Sequence, residues 1–293
     1  MKALLLTGLL FILILPGCRK ETSILPLLQS VEELIPMYAD SASVLLDSIQ
    51  APDELTDKDF AHWCMLCGKV TDEAATGLLP IYQWQRAQQW FTEHGTAEEQ
   101  AQIDLYLGRA YVEDGEYDKA MQIYADALQL AKEHQAYNVA GYICAYMADL
   151  YGFRDITSEC LKKREEACEF FKKAENYKSY AYSLKDLAGE WAILDSFACT
   201  IPLLQKADSI SQLLHNKNLT AAIANAFALI YEMQGKYNEA ETAYLKAIST
   251  RSEESYKDSI GLLKVYIKNN KLGKAYELIK AITVHNDIAY SFN

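Results

Sequence analysis

Glycine and proline are scarce here, 13 and 6 residues in a chain of 293. Folds built from strands and tight turns need both far more often, so long uninterrupted helices are the expected product. Several chemical signatures are missing too. There is no glycine-rich phosphate loop, no strand-elbow serine and no His-Glu-x-x-His run. The five histidines (62, 94, 134, 215 and 285) are scattered, so four converging metal ligands are not in view and no metal or cofactor is expected. Lys and Arg number 28 against 40 Asp and Glu, for a net charge of −12. Such a surface repels a phosphate backbone, which excludes nucleic acid as the expected partner. The carboxylate pairs Glu32-Glu33, Glu98-Glu99 and Glu165-Glu166 lie on polar helix faces and read as solvated surface. No enzyme is expected.

One long apolar run is present: "ALLLTGLLFILIL", residues 3–15, after Met1-Lys2. Thirteen residues of helix rise only about 20 Å, short of the roughly 30 Å hydrocarbon core of a bilayer. Residues 1–17 therefore read as a secretion signal. The run ends in Leu15-Pro16-Gly17-Cys18, which resembles the lipobox of bacterial lipoproteins, although Pro16 departs from the usual Ala, Ser or Thr. The resemblance implies cleavage before Cys18 and acylation of its sulfur and new amino group. A plain signal peptide with an incidental cysteine is the alternative. Several acyl chains, at ~0.8 kcal/mol per buried CH₂, make such an anchor essentially permanent. No second hydrophobic span follows, so the remainder is expected to be a soluble body in the cell envelope. It would be tethered to a membrane outside the cytoplasm, at the outer membrane or a periplasmic face.

The rest of the chain keeps a beat. "LGRAYVEDGEYDKAMQIYADAL" (107–128) and "FALIYEMQGKYNEAETAYLKAI" (227–248) align without gaps. Matching positions are Tyr111, Gly115, Tyr117, Ala120, Tyr124 and Ala127 in one, Tyr231, Gly235, Tyr237, Ala240, Tyr244 and Ala247 in the other. The small Ala120 and Ala240 allow two helices to lie close, the tyrosines fill the space between them, and Gly115 and Gly235 suit the left-handed turn closing the first helix. Tyr111, Tyr151, Trp191 and Tyr231 recur every forty residues. The weaker second copy takes Ala167, Phe171 and Ala174 as its small-aromatic-small set, which implies a turn seven residues longer around "GFRDITSECLKKRE". The third uses Leu187-Ala188, Trp191, Leu204 and Ala207, with Pro202 early in its second helix; the fifth uses Leu262, Tyr266, Ala275 and Ile279.

These positions, with Leu107-Gly108, resemble the tetratricopeptide repeat. The implied fold is all-α, a right-handed superhelical solenoid of helix pairs preceded by the signal peptide. Residues 18–100 are expected to be an N-terminal helical region of degenerate repeats, and 101–293 an array with repeats near 101–134, 141–180, 181–214, 221–254 and 256–289. In the N-terminal region helices are expected over 28–50 and over roughly 57–70 with Asp53 and Thr56 as candidate caps, and a helix or helix pair over 73–95, kinked near Pro80.

"FAHWCMLCGKV" (60–70) holds a Cys-x-x-Cys pair, as thioredoxin-like enzymes do. Activation of such a pair needs a helix N-terminus directly after a strand. Cys64 instead falls about two turns inside a predicted helix, on a stripe of small residues with Ala61, Cys67 and Gly68, so packing is the expected role. Cys67-Gly68 takes the Leu-Gly place of a decayed repeat. Among Cys64, Cys67, Cys144, Cys160, Cys168 and Cys199, disulfides and free buried thiols both stay open. Cys160 and Cys168 flank the expected insertion and are the pair considered for a bond.

In tetratricopeptide proteins the second, fifth and ninth residues of each repeat face a concave groove, and the resemblance carries that role to Arg109, Tyr142, Tyr182, Lys185 and Asn225. The lysine-and-asparagine clamp of chaperone-tail binders is not reproduced. Tyr142 and Tyr182 can grip an extended peptide or a sugar ring, or they can fill space between repeats. The expected function is a non-enzymatic, membrane-anchored scaffold or adaptor that binds a protein or peptide; a ligand sensor and a glycan-capture lipoprotein are the alternatives. "DSASVLLDSI" and the decayed array are similar to lipoproteins of Bacteroides-type bacteria, many of which continue into a membrane helix and a regulatory part. Ending at Asn293 leaves the last repeat without a polar cap, which predicts a docked partner or self-association.

Overall fold

The computed structural model describes residues 24–74, 76–251 and 256–291, with side chains to residue 282. Among these residues the regular elements are thirteen α-helices and one short 3-10 turn, Pro52–Glu54. Three helices come first: α1 (Leu25–Asp47), α2 (Asp57–Ala74) and α3 (Ile81–His94). Then come four pairs: α4 (Ala97–Glu113) with α5 (Tyr117–Glu133), α6 (Tyr137–Phe153) with α7 (Thr157–Lys173), α8 (Tyr177–Ile193) with α9 (Phe197–Leu213), and α10 (Lys217–Met233) with α11 (Tyr237–Thr250). A last pair joins α12 (Tyr256–Lys268) to α13 (Leu272–Ser291). Each helix packs on the next in sequence, and first helices also touch across repeats, α4 on α6, α8 on α10 and α10 on α12. The architecture is a helical solenoid. No helix among the described residues is long and apolar enough to cross a membrane.

The physical period is twenty residues, half of the forty visible in the aromatics. From α4 to α10 every helix has 17 residues and every turn three. One residue of each turn adopts the left-handed conformation: Gly115 (φ 78°), Gln135, Asp155, Glu175, Asp195, His215 and Gly235 (φ 70°). The following N–H then reaches back to the third-from-last helical carbonyl, as in Glu116 to Tyr111 at 2.8 Å and Lys236 to Tyr231 at 2.8 Å. Ile156 to Tyr151 and Ser196 to Trp191 repeat the bond, so the aromatics of the forty-residue beat are also the carbonyls that receive it.

Packing follows the small-and-large logic. Ala120 and Ala240 are completely buried, as are Ala127, Ala167, Ala207 and Ala247. Tyr124 lies so tightly over α4 that a Cβ on Gly108 would stand 2.3 Å from its ring. Gly68 of α2 makes a comparably close contact with a ring two helices on, where a Cβ on it would stand 2.4 Å from Tyr106 of α4.

Several expectations need correction. There is no insertion in the second copy: α6 and α7 are joined by residues 154–156, the same three-residue turn as elsewhere. The residues forty after Ala120, Tyr124 and Ala127 are Cys160, Arg164 and Ala167, not Ala167, Phe171 and Ala174. Phe171 packs instead against α6, where a Cβ on Gly141 would stand 2.8 Å from its ring. Cys160 and Cys168 lie on one helix eight residues apart, about 12 Å along the axis and beyond disulfide reach; both are free. Helix pairs begin at 97, 137, 177 and 217. Ile279 is 45% exposed rather than a core aromatic's equivalent.

α1 and α2 lie within a few residues of their expected places, whereas α3 begins at Ile81, eight residues after the expected start at 73. Thr56 caps α2, its hydroxyl accepting from the Asp59 N–H at 3.2 Å. α1 is kinked at Tyr38 (φ −141°), two residues after Pro36. Pro80 precedes α3 rather than bending it. One apolar cluster runs from Leu28 through Trp84 to Ile103 and Ala110, so the core continues across residue 100.

Candidate functional site

First helices line one face of the solenoid, and two cavities open there. One, of about 590 Å³, lies between α2, α4, α6 and α8 and is walled by Arg109, Tyr142, Tyr146, Asp149 and Tyr182. The other, of about 750 Å³, lies along α8, α10 and α12 and is walled by Lys185, Gly189, Asn225, Leu229 and Lys264 among others. Arg164 and Asp186 border both, so the cavities are parts of one groove.

The forty-residue lattice explains why Arg164 is there. It occupies the position held by Tyr124, Leu204 and Tyr244 in the other pairs, where a side chain of the second helix enters the space between helices. An arginine at that place is long enough to cross it. Its guanidinium donates to Asp149 Oδ1 at 2.5 Å and to the Ala145 carbonyl at 3.4 Å, and lies 3.7 Å from Glu190. Arg164 is thus the post between the two cavities. Burial pushes the Asp149 carboxyl up from its ordinary range, and Arg164 opposes that shift.

Arg109 is ion-paired with Asp72 at the C-terminal end of α2, and its guanidinium lies 4.9 Å over the Tyr146 ring. Tyr142 shares a 2.8 Å hydrogen bond with Ser179 and stands edge-on to Phe171. Lys178 at the start of α8 donates to Glu73 at 2.8 Å, joining residues 105 apart in sequence and closing the first cavity along one side. In the second cavity Lys185 pairs with its neighbour Asp186. Asn225 donates to Asp258 at 2.5 Å, and Arg251 holds the other oxygen of that buried carboxylate at 3.1 Å.

The five groove residues expected from the sequence therefore divide between the two cavities, Arg109, Tyr142 and Tyr182 in the first, Lys185 and Asn225 in the second. Sequence reading missed Arg164 and the Glu73–Lys178 bridge. The forty-residue spacing from Tyr124 marks Arg164 once the false insertion is removed, whereas nothing in the sequence signals a contact over 105 residues. Cys18 lies outside the described residues. Cys64 is fully buried in α2, with its thiol 3.8 Å from the Gln83 carbonyl, and burial pushes both Cys64 and Cys67 far above the usual thiol range. That is the reverse of an activated redox pair. No metal-binding cluster of three or more His, Cys, Asp or Glu occurs among the described residues.

Two segments match tetratricopeptide-repeat family profiles, residues 107–135 and 220–254. The chain carries tetratricopeptide repeats, and its fold is that of their helical solenoids. Among solved structures it is similar to a Rap protein complexed with Competence and Sporulation Factor, at 17% identity and TM-score 0.62 over 88% of this chain and 74% of that one. NprR in complex with its cognate peptide NprX matches at 14% identity and TM-score 0.58, over 89% and 78%. BtubC from P. vanneervenii matches at 16% identity and TM-score 0.61, over 73% and 89%. No curated protein sequence matches.

Proposed function

We propose that this protein is a non-catalytic interaction module that binds a peptide, or an extended segment of a partner protein, in its concave groove. The observation that carries this is the pair of connected cavities on the first-helix face, with tyrosine rings in the first and charged side chains in both. One structure of similar fold, NprR, holds its cognate peptide, and another, a Rap protein, is complexed with Competence and Sporulation Factor, which supports the same reading. The charged groups along the groove are mostly neutralised in pairs, an arrangement suited to recognition rather than to proton transfer.

The same proposal takes the protein to be a lipoprotein-type scaffold or adaptor of a bacterial envelope like that of Bacteroides, anchored through acylated Cys18. Its sequence support is the apolar run and Leu-Pro-Gly-Cys. Self-association through the last helix pair belongs to the proposal as well, since Leu272 and Tyr276 on α13 are 60% and 61% exposed.

Three measurements test these parts. Crosslinking in intact cells from a photoreactive residue at position 182 should capture a partner polypeptide, and the capture should fall when Tyr142→Ala is added. Unchanged capture would remove the groove from the reading. Metabolic labelling with an alkyne fatty acid should mark the wild type and not Cys18→Ala; equal labelling would remove the anchor. Light scattering that finds only monomer would end the self-association part.

A further inference from the structure

The two cavities differ in charge although they share a wall. The first is bordered by three basic and five acidic side chains, the second by six basic and four acidic. Pairing sharpens the difference. In the first, Arg109, Arg164 and Lys178 are each committed to a carboxylate, and the exposed Glu113 stands at its edge without an ion pair among the described residues. In the second, Arg251 and Lys268 are committed to Asp258 and Glu232. Lys257 and Lys264 on α12 are exposed and have no carboxylate partner among the described residues. On a chain of net charge −12, two groove lysines with no ion pair among the described residues are a local reversal of sign.

The second cavity also carries apolar surface that the fold leaves uncovered. Ile193, Leu229 and Met233 border it at 70%, 47% and 52% exposure. The first cavity has ring faces instead, and one of them, Tyr146, already accepts a guanidinium.

Resting on the peptide-binding reading above, we propose that the groove selects peptides by charge polarity. The anionic, aliphatic end lies over α8, α10 and α12, its carboxylate between Lys257 and Lys264 and its side chains on Ile193, Leu229 and Met233. The cationic end lies among Tyr142, Tyr146 and Tyr182, beside Glu113. A free peptide has these charges at its own termini, so the chain runs from the first cavity to the second. The cavities meet at Arg164 and Asp186, so an extended peptide that reaches from one into the other crosses that shared wall.

Display of random ten-residue peptides against the full-length protein in phosphatidylcholine nanodiscs tests this. The expected pool is enriched in Lys, Arg and aromatics toward the N-terminal half and in Asp, Glu and aliphatics toward the C-terminal half. Against Lys257→Glu/Lys264→Glu the acidic preference should vanish, and a wild-type-selected peptide should bind about tenfold more weakly, the combined effect of two partly exposed ion pairs and their reversal. Lys172→Glu on the second helix α7 should leave both unchanged. Enrichment without a charge gradient, or a gradient that survives the double substitution, overturns the polarity while leaving peptide binding intact. A wild type that enriches no peptide overturns both.

Discussion

Gly108 and Gly189 are both interior to 17-residue helices, α4 and α8, and replacing each by alanine separates local propensity from packing. Alanine is favoured over glycine in a helix interior by about 1 kcal/mol. At Gly189 a new Cβ meets nothing within 4 Å. Gly189→Ala is therefore expected to stabilise by roughly 0.5–1 kcal/mol. At Gly108 the same Cβ would stand 2.3 Å from Cε1 and 2.7 Å from Cδ1 of Tyr124, well inside contact distance. Tyr124 is completely buried and has no open side to move toward. Overpacking of that kind costs about 1–3 kcal/mol, occasionally more, which exceeds the propensity gain. The two substitutions should differ in sign, Gly108→Ala being destabilised by up to about 2 kcal/mol. Urea melts followed by circular dichroism at 222 nm would read the midpoints. Hydrogen exchange in α4 and α5 would localise the loss, because solenoid repeats need not unfold together. Stabilisation by both substitutions would refute the claim that helix pairs close by ring-on-backbone contact.

Arg164→Leu supplies the residue type that the next pair has at Leu204, yet strands Asp149 beside Glu190; the expected loss is about 1–3 kcal/mol at neutral pH by urea melt, discounted because Asp149 is partly exposed. Arg164→Leu/Asp149→Asn should recover most of it, and failure to recover would dismiss the ion pair as the cause. Burial raises the Asp104 carboxyl to about 6, against the Gln88 amide that donates to it at 2.7 Å. A carboxyl raised in the folded state contributes stability that is full below its unfolded pKa and is lost as pH rises from about 4 through about 6. Asp104→Asn should therefore be more stable than wild type at pH 7, by roughly 1–3 kcal/mol, and gain nothing at pH 3.5. A constant difference across that range would show that the carboxyl is not perturbed. Burial lifts the thiols of Cys144 and Cys168 to about 12 and that of Cys160 to about 11, while Cys199 is exposed. Native alkylation with iodoacetamide at pH 8, mapped by mass spectrometry, should mark Cys199 first and the buried thiols only in denaturant. For Glu73 and Lys178, 42% and 45% exposed, a double-mutant cycle should return no more than about 1 kcal/mol, and the charge-swapped pair should restore it.

The repeat was legible because its tokens are local. Tyr111, Ala120, Tyr124 and Ala127 state in one segment how two neighbouring helices must nest, and the structure buries the alanines completely. The second pair was misread for a reason just as local. Cys160 and Arg164 replaced the alanine and tyrosine, and the nearest small-aromatic-small match lay seven residues on. The turns at Gln135, Asp155, Glu175, Asp195 and His215 hid the twenty-residue period, since left-handed residues other than glycine carry no mark in the sequence. The groove residues could be counted but not grouped.

By itself, then, the order of residues determined that the chain is helical and which residues nest between the helices of its two clearest pairs, because those properties depend on neighbours within one or two turns. Only the tertiary structure decided that Arg164 bridges two cavities, that Glu73 meets Lys178, and that Lys257 and Lys264 stand in the groove with no ion pair among the described residues. Each of those facts depends on how the pairs rotate against one another as they stack, a geometry accumulated over the whole array and written in no single repeat.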